Sequence, residues 1–224
     1  PPRSTLFPYT TLFRSRIGVL GGMFDPVHKG HVEAARYALQ KLALDELRMI
    51  PCHTPNHRRP AKIDPQHRLH MIELAIRDEP GMQVDPIEID RTGVSYMVDT
   101  LTILKANAGD CSLVLVLGVD SFNTIPQWHR WRQLLGLCHF LVLARPGSTI
   151  SGDVIAAPEF EHNLVASTEE LFHNDSGRIR VFDDFSFDIS STRVRELLAM
   201  KADLSTKLDE SVIDYIRSNH LYIK

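Results

Sequence analysis

The sequence predicts an α/β fold: a doubly wound parallel sheet with helices on both faces and a small helical part at the C-terminus. Three observations lead there. Short apolar, β-rich runs alternate with amphipathic stretches of about 12 residues, the pattern of successive βαβ units. Leu113-Val-Leu-Val-Leu117 is continuously apolar, as suits a strand buried on both faces of a parallel sheet. The 224 residues are 43% hydrophobic and 24% charged, and a chain of this size buries roughly 70% of its unfolded surface in one good core.

Each element has its own warrant. Arg16-Ile-Gly-Val-Leu20 is the first strand, stopped by Gly21-Gly22. Val32, Ala35, Leu39 and Leu42 then recur at helical spacing, which predicts a helix over 30–43. Leu47-Arg-Met-Ile50 is a strand ended by Pro51. Residues 51–64 hold three prolines, three basic residues and two histidines and read as a loop. Pro65 suits the first turn of a helix running to about Arg77, with Leu69, Ile72 and Ile76 on its apolar face. Gln83 to Asp90 reads as a weaker strand, at an edge or bulged because Pro86 lies within it.

Tyr96 to Ala106 is helical, and Leu113–Leu117 is the central strand, followed at once by Gly118-Val-Asp120. Trp128 to Leu137 reads as a helix and Phe140-Leu-Val-Leu143 as a buried strand. Residues 146–177 are the least regular stretch. Arg178 to Phe182 is the last strand, and Thr192 to Met200 and Glu210 to Ser218 are helices. In such a sheet ligands bind beyond the carboxyl ends of strands, where strand order reverses. That rule singles out the turns at 21–31, 118–131 and 144–147.

Composition excludes several classes. The formal net charge of -3 gives no electrostatic case for a nucleic-acid or membrane partner. No apolar run approaches the ~18 residues a membrane span needs. Cys52, Cys111 and Cys138 are odd in number and form no CxxC pair, so a reducing cytoplasm is the expected setting. Pro1 to Ser15, PPRSTLFPYTTLFRS, carries a near-repeat and no periodicity or signal-peptide pattern. It resembles translated sequencing-adapter read-through. We therefore expect 1–15 to be a non-native or disordered leader and 16–224 to be one domain.

The strongest motif joins the first strand to the first helix: Gly21-Gly-Met-Phe-Asp-Pro-Val-His-Lys-Gly-His31. Paired glycines admit a ligand close to the backbone, and the following helix start offers free N–H groups and a positive dipole end to a phosphate. His28 and His31 are three apart, so both face one side of a helical turn. There they can bind a phosphate and stabilise charge developing on it. No GxxxxGK[ST] or GxGxxG is present, which argues against a P-loop kinase and a standard dehydrogenase. A second motif, Ile189-Ser-Ser-Thr-Arg-Val-Arg195, precedes a helix. Ser190, Ser191 and Thr192 supply an N-cap, hydroxyls and free N–H groups, and Arg193 a fork of donors suited to phosphate oxygens.

GGMFDPVHKGH resembles the GG[TS]FDPxHxGH signature of the HxGH nucleotidyltransferases, and more narrowly the bacterial nicotinate-mononucleotide adenylyltransferases, over nearly all of 16–224. The resemblance implies a Rossmann-like domain that transfers AMP from ATP to nicotinate mononucleotide in NAD biosynthesis, with Mg²⁺ accompanying ATP and no protein-held metal. It implies catalytic roles for His28, His31 and Arg193. It implies ATP contacts from Gly21, Gly22, Met23, Phe24, Gly30, Arg145 of an RPG turn, Ser190, Ser191 and Thr192. Mononucleotide contacts are implied for His57, Met97 of the SYM stretch, Gly118, Asp120, Trp128 and His129. Met23 stands where the family has Thr or Ser, and Met97 where it has Thr. Around His57 the text is Thr54-Pro-Asn-His-Arg58 rather than PPHK.

Trp131 reads as a core residue. Three alternatives stay open. A related enzyme acting on another phosphate, such as phosphopantetheine, would share both phosphate motifs. A nucleotide-binding protein without turnover would share the loop. Zinc at Cys52, His53, His57, His67 and His70 is disfavoured by non-standard spacing and by Arg58, Arg59 and Arg68. Whether the chain forms a homo-oligomer is open.

Overall fold

Among the described residues seven parallel strands form one sheet in the order β3-β2-β1-β4-β5-β7-β6. They are β1 (Ser15–Gly22), β2 (Glu46–Pro51), β3 (Met82–Val84), β4 (Cys111–Gly118), β5 (His139–Leu143), β6 (Leu164–Val165) and β7 (Ile179–Phe182). The computed structural model describes residues 14–56, 60–144, 147–187 and 189–222. Within them the principal helices are α1 (Lys29–Leu42), α2 (Pro65–Ala75), α3 (Ile87–Arg91) and α4 (Met97–Ala108). Short helices follow: α5 (Val119–Phe122), α6 (Leu134–Leu137), α7 (Gly152–Ile155), α8 (Pro158–Glu161) and α9 (Thr168–Leu171). The chain closes with α10 (Ser191–Ala199) and α11 (Glu210–Ser218).

Alternation along the strands shows that both faces are covered. Leu20, Val114, Val116, Leu141 and Leu143 point into one core, shared with Val32 and Ala35 of α1, Met71 and Ile72 of α2, Val194 of α10 and Ile216 of α11. Val19, Leu113, Leu115, Phe140 and Val142 point into the other, with Leu101 of α4, Phe122 and Trp131. Cys111 and Cys138 are buried in that second core. Burial raises the pKa of both thiols, that of Cys138 to about 12, so they behave there as small hydrophobes.

Strand order reverses between β1 and β4. The chain steps outward from β1 through β2 to β3, then returns to lay β4 against the free side of β1. Gly21-Gly22 at the end of β1 and Gly118 at the end of β4 therefore flank the switch point, where a parallel sheet opens a crevice for ligands.

Local chemistry explains most boundaries. Asp64 caps α2 by accepting from the Gln66 N–H at 2.8 Å, and Pro65 follows at the first helical position. Helix α1 ends on Ala43, which takes a left-handed conformation. Three expectations need correction. Residues 83–90 are not one strand: β3 stops at Val84, and Pro86, which lacks an N–H for a ladder, becomes the N-cap of α3. Residues 128–137 are not one helix. Arg130 is left-handed, so only the 3₁₀ turn Trp131–Gln133 and then α6 follow. Within the irregular stretch, β6 adds a two-residue strand beside β7. At the other end β1 begins at Ser15, paired with Cys111, and Arg14 pairs with Asp110 and Asp175.

Candidate active site

The turn after β1 is held by its own side chains. Phe24 takes a left-handed backbone conformation (φ 46°) and buries its ring. That ring meets the His31 ring edge-on, with centroids 4.9 Å apart. His28 is the N-cap of α1, and its backbone N–H donates to Nδ1 of His31 at 3.2 Å. That bond makes His31 Nδ1 an acceptor, so the neutral ring carries its proton on Nε2. The His28 and His31 rings stack with centroids 3.6 Å apart and planes inclined by 19°.

The second motif is tied directly to this turn. Ser190 caps α10 by accepting from the Arg193 N–H at 3.2 Å. The Ser191 hydroxyl donates to the Pro26 carbonyl at 3.0 Å, and Arg195 donates to the Asp25 carbonyl at 2.5 Å. A Cβ added at Gly30 would lie 2.5 Å from Ile189 Cγ2 and 3.0 Å from the Phe187 ring. Glycine there is what lets the strand-to-α10 connection close over the start of α1. Asp25 is buried and fully occupied: it accepts from the Lys62 N–H at 3.0 Å and from the Tyr222 hydroxyl at 2.8 Å. Burial and the neighbouring Asp25 carboxylate raise the Tyr222 pKa. Asp25 thus braces the turn.

Two cavities open at the switch point and share a wall. The first encloses about 1220 Å³ of empty space, part of it open to solvent, and the second about 750 Å³. Gly21, Gly22, Met23, Leu117 and Ser121 border both. Phe24, His28, Gly30, His31, Ser190 and Ser191 line only the first, together with Gly118 and Asp120. Gly118 and Asp120, which the resemblance linked to the mononucleotide, therefore sit with the phosphate motifs. Met97, Trp128 and His129 line the second. Thr192 and Arg193 are exposed and outside both walls, and the Arg193 guanidinium donates to Glu196 at 3.0 Å. His57 and Arg145 lie outside the described residues.

In the second cavity Trp128 is fixed by its indole N–H, which donates to Thr124 Oγ1 at 3.1 Å. The rings of Tyr96 and His129 lie 4.2 Å apart. Met97 opens α4, and its N-cap Tyr96 makes no side-chain cap, so the first N–H groups of that helix are available to an anion. Trp131 is buried against Phe160 with centroids 5.2 Å apart, a core residue as expected.

Sequence reasoning missed two residues. Arg68 is completely buried, donating to the carbonyls of Met23 (2.7 Å), Cys52 (2.7 Å) and Ile63 (3.4 Å). It thereby joins the ends of β1 and β2 beneath the shared wall, and burial lowers its pKa. Its signal was present: Arg68 stands four before Ile72, on the apolar face of α2. Glu88 is 4% exposed, lines the second cavity and accepts from the Thr100 hydroxyl at 2.8 Å. Reading 83–90 as a strand hid it. Among the described residues no group of three or more His, Cys, Asp or Glu side chains is placed to hold a metal ion. No described helix is long and apolar enough to cross a membrane.

A sheet with its crevice at the reversal point, a glycine turn leading to stacked histidines, and a second motif bound to that turn define a nucleotidyltransferase scaffold. The cytidylyltransferase-like family model matches residues 19–197, and the chain belongs to that family. A probable nicotinate-nucleotide adenylyltransferase of Methylococcus capsulatus is 40% identical over 209 residues, 93% of this chain and 100% of the relative. One from Shewanella frigidimarina is 36% identical, covering 92% of this chain and 99% of the relative. Within the family the chain therefore groups with the nicotinate-nucleotide adenylyltransferases. The nicotinic acid mononucleotide adenylyltransferase of Plasmodium falciparum, solved with NaAD, superposes with a TM-score of 0.73 at 18% identity, covering 93% of this chain and 98% of that one. The same fold, solved with APC, gives 0.72.

Proposed function

We propose that this chain transfers the adenylyl group of ATP to nicotinate mononucleotide, forming nicotinate adenine dinucleotide and pyrophosphate in NAD biosynthesis. The observation that carries this reading is the pair of cavities meeting at Gly21–Met23. A dinucleotide has two halves joined by a pyrophosphate, and a shared glycine wall suits the junction. ATP would occupy the first cavity and the mononucleotide the second. The relatives' names and the NaAD-bound Plasmodium enzyme support the same assignment.

In the reaction a phosphate oxygen of the mononucleotide attacks the α-phosphorus of ATP in line. The bond from that phosphorus to the bridging oxygen breaks, and pyrophosphate leaves with the electron pair. The substrate brings its own nucleophile, so catalysis rests on positioning and on neutralising phosphate charge. His31, its proton on Nε2, would donate to the reacting phosphate beside His28. Ser190, Ser191 and Thr192 would hold ATP phosphates, and Arg193 would leave Glu196 to join them. Arg145 would lie beside ATP and His57 near the mononucleotide phosphate. Met23 offers its backbone N–H but no hydroxyl. Asp120 is the carboxylate lining the first cavity, and one carboxylate fits an ion that arrives on ATP better than one caged by protein. Asp120 would face that Mg²⁺, which would supply charge neutralisation for the ATP phosphates.

Selectivity for nicotinate follows from the start of α4. The N–H at Met97 and that after Trp128 would receive the carboxylate. The amide of the nicotinamide analogue would turn an NH₂ donor toward those donors, costing on the order of 1–3 kcal/mol. Parallel assays of pyrophosphate release test the reading, with ATP, Mg²⁺ and either nicotinate mononucleotide, nicotinamide mononucleotide or phosphopantetheine. Release with the first in clear preference is expected. Release only with phosphopantetheine would replace the substrate, and silence with all three would leave a nucleotide-binding protein without turnover.

A further inference from the structure

We propose that Glu88 is a positioning residue for the mononucleotide: its buried carboxylate sets the wall of the second cavity by holding the Thr100 hydroxyl at the start of α4. The inference rests on the functional reading above and goes beyond it, because no motif pointed to Glu88.

The geometry ties Glu88 to α4 and, beside it, the segment before α4 to the segment after β2. Glu88, on the short helix α3, is 4% exposed yet borders the second cavity. It accepts from the Thr100 hydroxyl at 2.8 Å, one turn into α4. Just before that helix, the Ser95 hydroxyl oxygen accepts from the His53 N–H at 3.0 Å. The Ser95 N–H in turn donates to the Thr54 carbonyl at 2.8 Å, and Thr54 pairs with Val94 as an isolated parallel bridge. The segment after β2 and the segment before α4 are thereby locked together. These are the two walls that carry Cys52, Pro55 and Asn56 on one side and Ser95, Tyr96 and Met97 on the other.

An ionised carboxylate can only accept, and the Thr100 hydroxyl points its proton at it. The charged groups acting on it are Arg91 on its own helix and Arg68 on α2, both of which favour ionisation, while α4 and the Ser95 segment contribute hydroxyls. Burial opposes them and leaves the Glu88 pKa above the ordinary carboxylate range. Protonation on the acid side removes the charged acceptor and turns the Thr100 proton toward its second acceptor, the Tyr96 carbonyl at 3.3 Å, and mononucleotide binding is expected to weaken as pH falls through the Glu88 ionisation.

The test compares the full-length wild-type chain with Glu88→Gln in steady-state assays, each substrate varied in turn, over a range of pH. A glutamine keeps the size but offers one acceptor oxygen and an NH₂ donor. KM for nicotinate mononucleotide is expected to rise several-fold, as fits a hydrogen bond to a charged acceptor replaced by one to a neutral acceptor. KM for ATP should stay within about twofold, and the acid limb of kcat/KM for the mononucleotide that belongs to Glu88 should vanish. Thr100→Val, which removes one hydroxyl and keeps the shape, should produce the same one-sided change if the glutamine variant folds poorly. Equal effects on both substrates, an unchanged KM, or an acid limb that persists in Glu88→Gln would overturn the proposal. Quenching of tryptophan fluorescence by the mononucleotide separates the two levels. If the wild-type chain binds and turns over nicotinate mononucleotide and the variants match it, Glu88 alone is misassigned. If the wild-type chain does neither, the functional reading falls and this proposal falls with it.

Discussion

At the residue scale the proposed chemistry rests most on His31. Its Nδ1 is committed to the His28 N–H and its ring is clamped between His28 and Phe24. A donor fixed this way loses no reorganisation when phosphate charge develops. His31→Ala should lower kcat by about 10²–10³-fold, the range seen when one preorganised donor is removed, with the melting temperature within a few degrees of wild type. Unchanged turnover would remove His31 from the mechanism. His139 makes a different statement. It opens β5 in full burial, its Nδ1 accepts from the Arg178 N–H at 3.3 Å, and its Nε2 has no hydrogen-bond partner among the described residues. Burial pushes its pKa down from 6.5 to about 4. The folded ring is therefore neutral where the unfolded ring is protonated. Its stabilising contribution is complete above about pH 6.5 and is lost progressively as pH falls toward 4, in all about 3 kcal/mol. Melting temperatures from pH 7 to 4.5 should show that slope, and His139→Leu should flatten it.

At the scale of elements, the site depends on two segments far apart in sequence being pressed together, and Gly30 is where they touch. Alanine in a helix is ordinarily favoured over glycine by about 1 kcal/mol. Here its Cβ would meet Ile189 Cγ2 at 2.5 Å, and overpacking of that kind costs about 1–3 kcal/mol. The clash wins, so Gly30→Ala should lower the melting temperature and raise KM for ATP, read by calorimetry and kinetics. A rise in stability would mean that α10 does not press on α1. Helices with a clear apolar stripe or a cap were legible beforehand: α1, α2, α4 and α11 lie within two residues of their expected limits. The misses have local causes. Pro86 was read as a flaw in a strand when it starts a helix, and the left-handed Arg130 has no sequence signature that glycine would have provided. The motifs at 21–31 and 189–195 were legible because both are contiguous. The Glu88 and Arg68 contacts were not, since each joins residues that only the folded sheet brings together.

For the whole molecule, strand order is the organising fact. A reversal between β1 and β4 places a glycine turn and a bare strand end side by side, and two cavities form there because no helix can cover both sides of the gap. Alternate residues of β1, β4 and β5 feed separate cores on the two faces, so the crevice is supported from above and below. In the proposed reaction the shared wall at Gly21–Met23 is where an adenylyl group changes partner. Incubating the chain with Mg²⁺, nicotinate mononucleotide and ATP labelled separately at the α- or γ-phosphorus tests this most directly. Adenylyl transfer predicts α-label in the dinucleotide and γ-label in pyrophosphate. γ-Label on the mononucleotide, or no label leaving ATP, would contradict it.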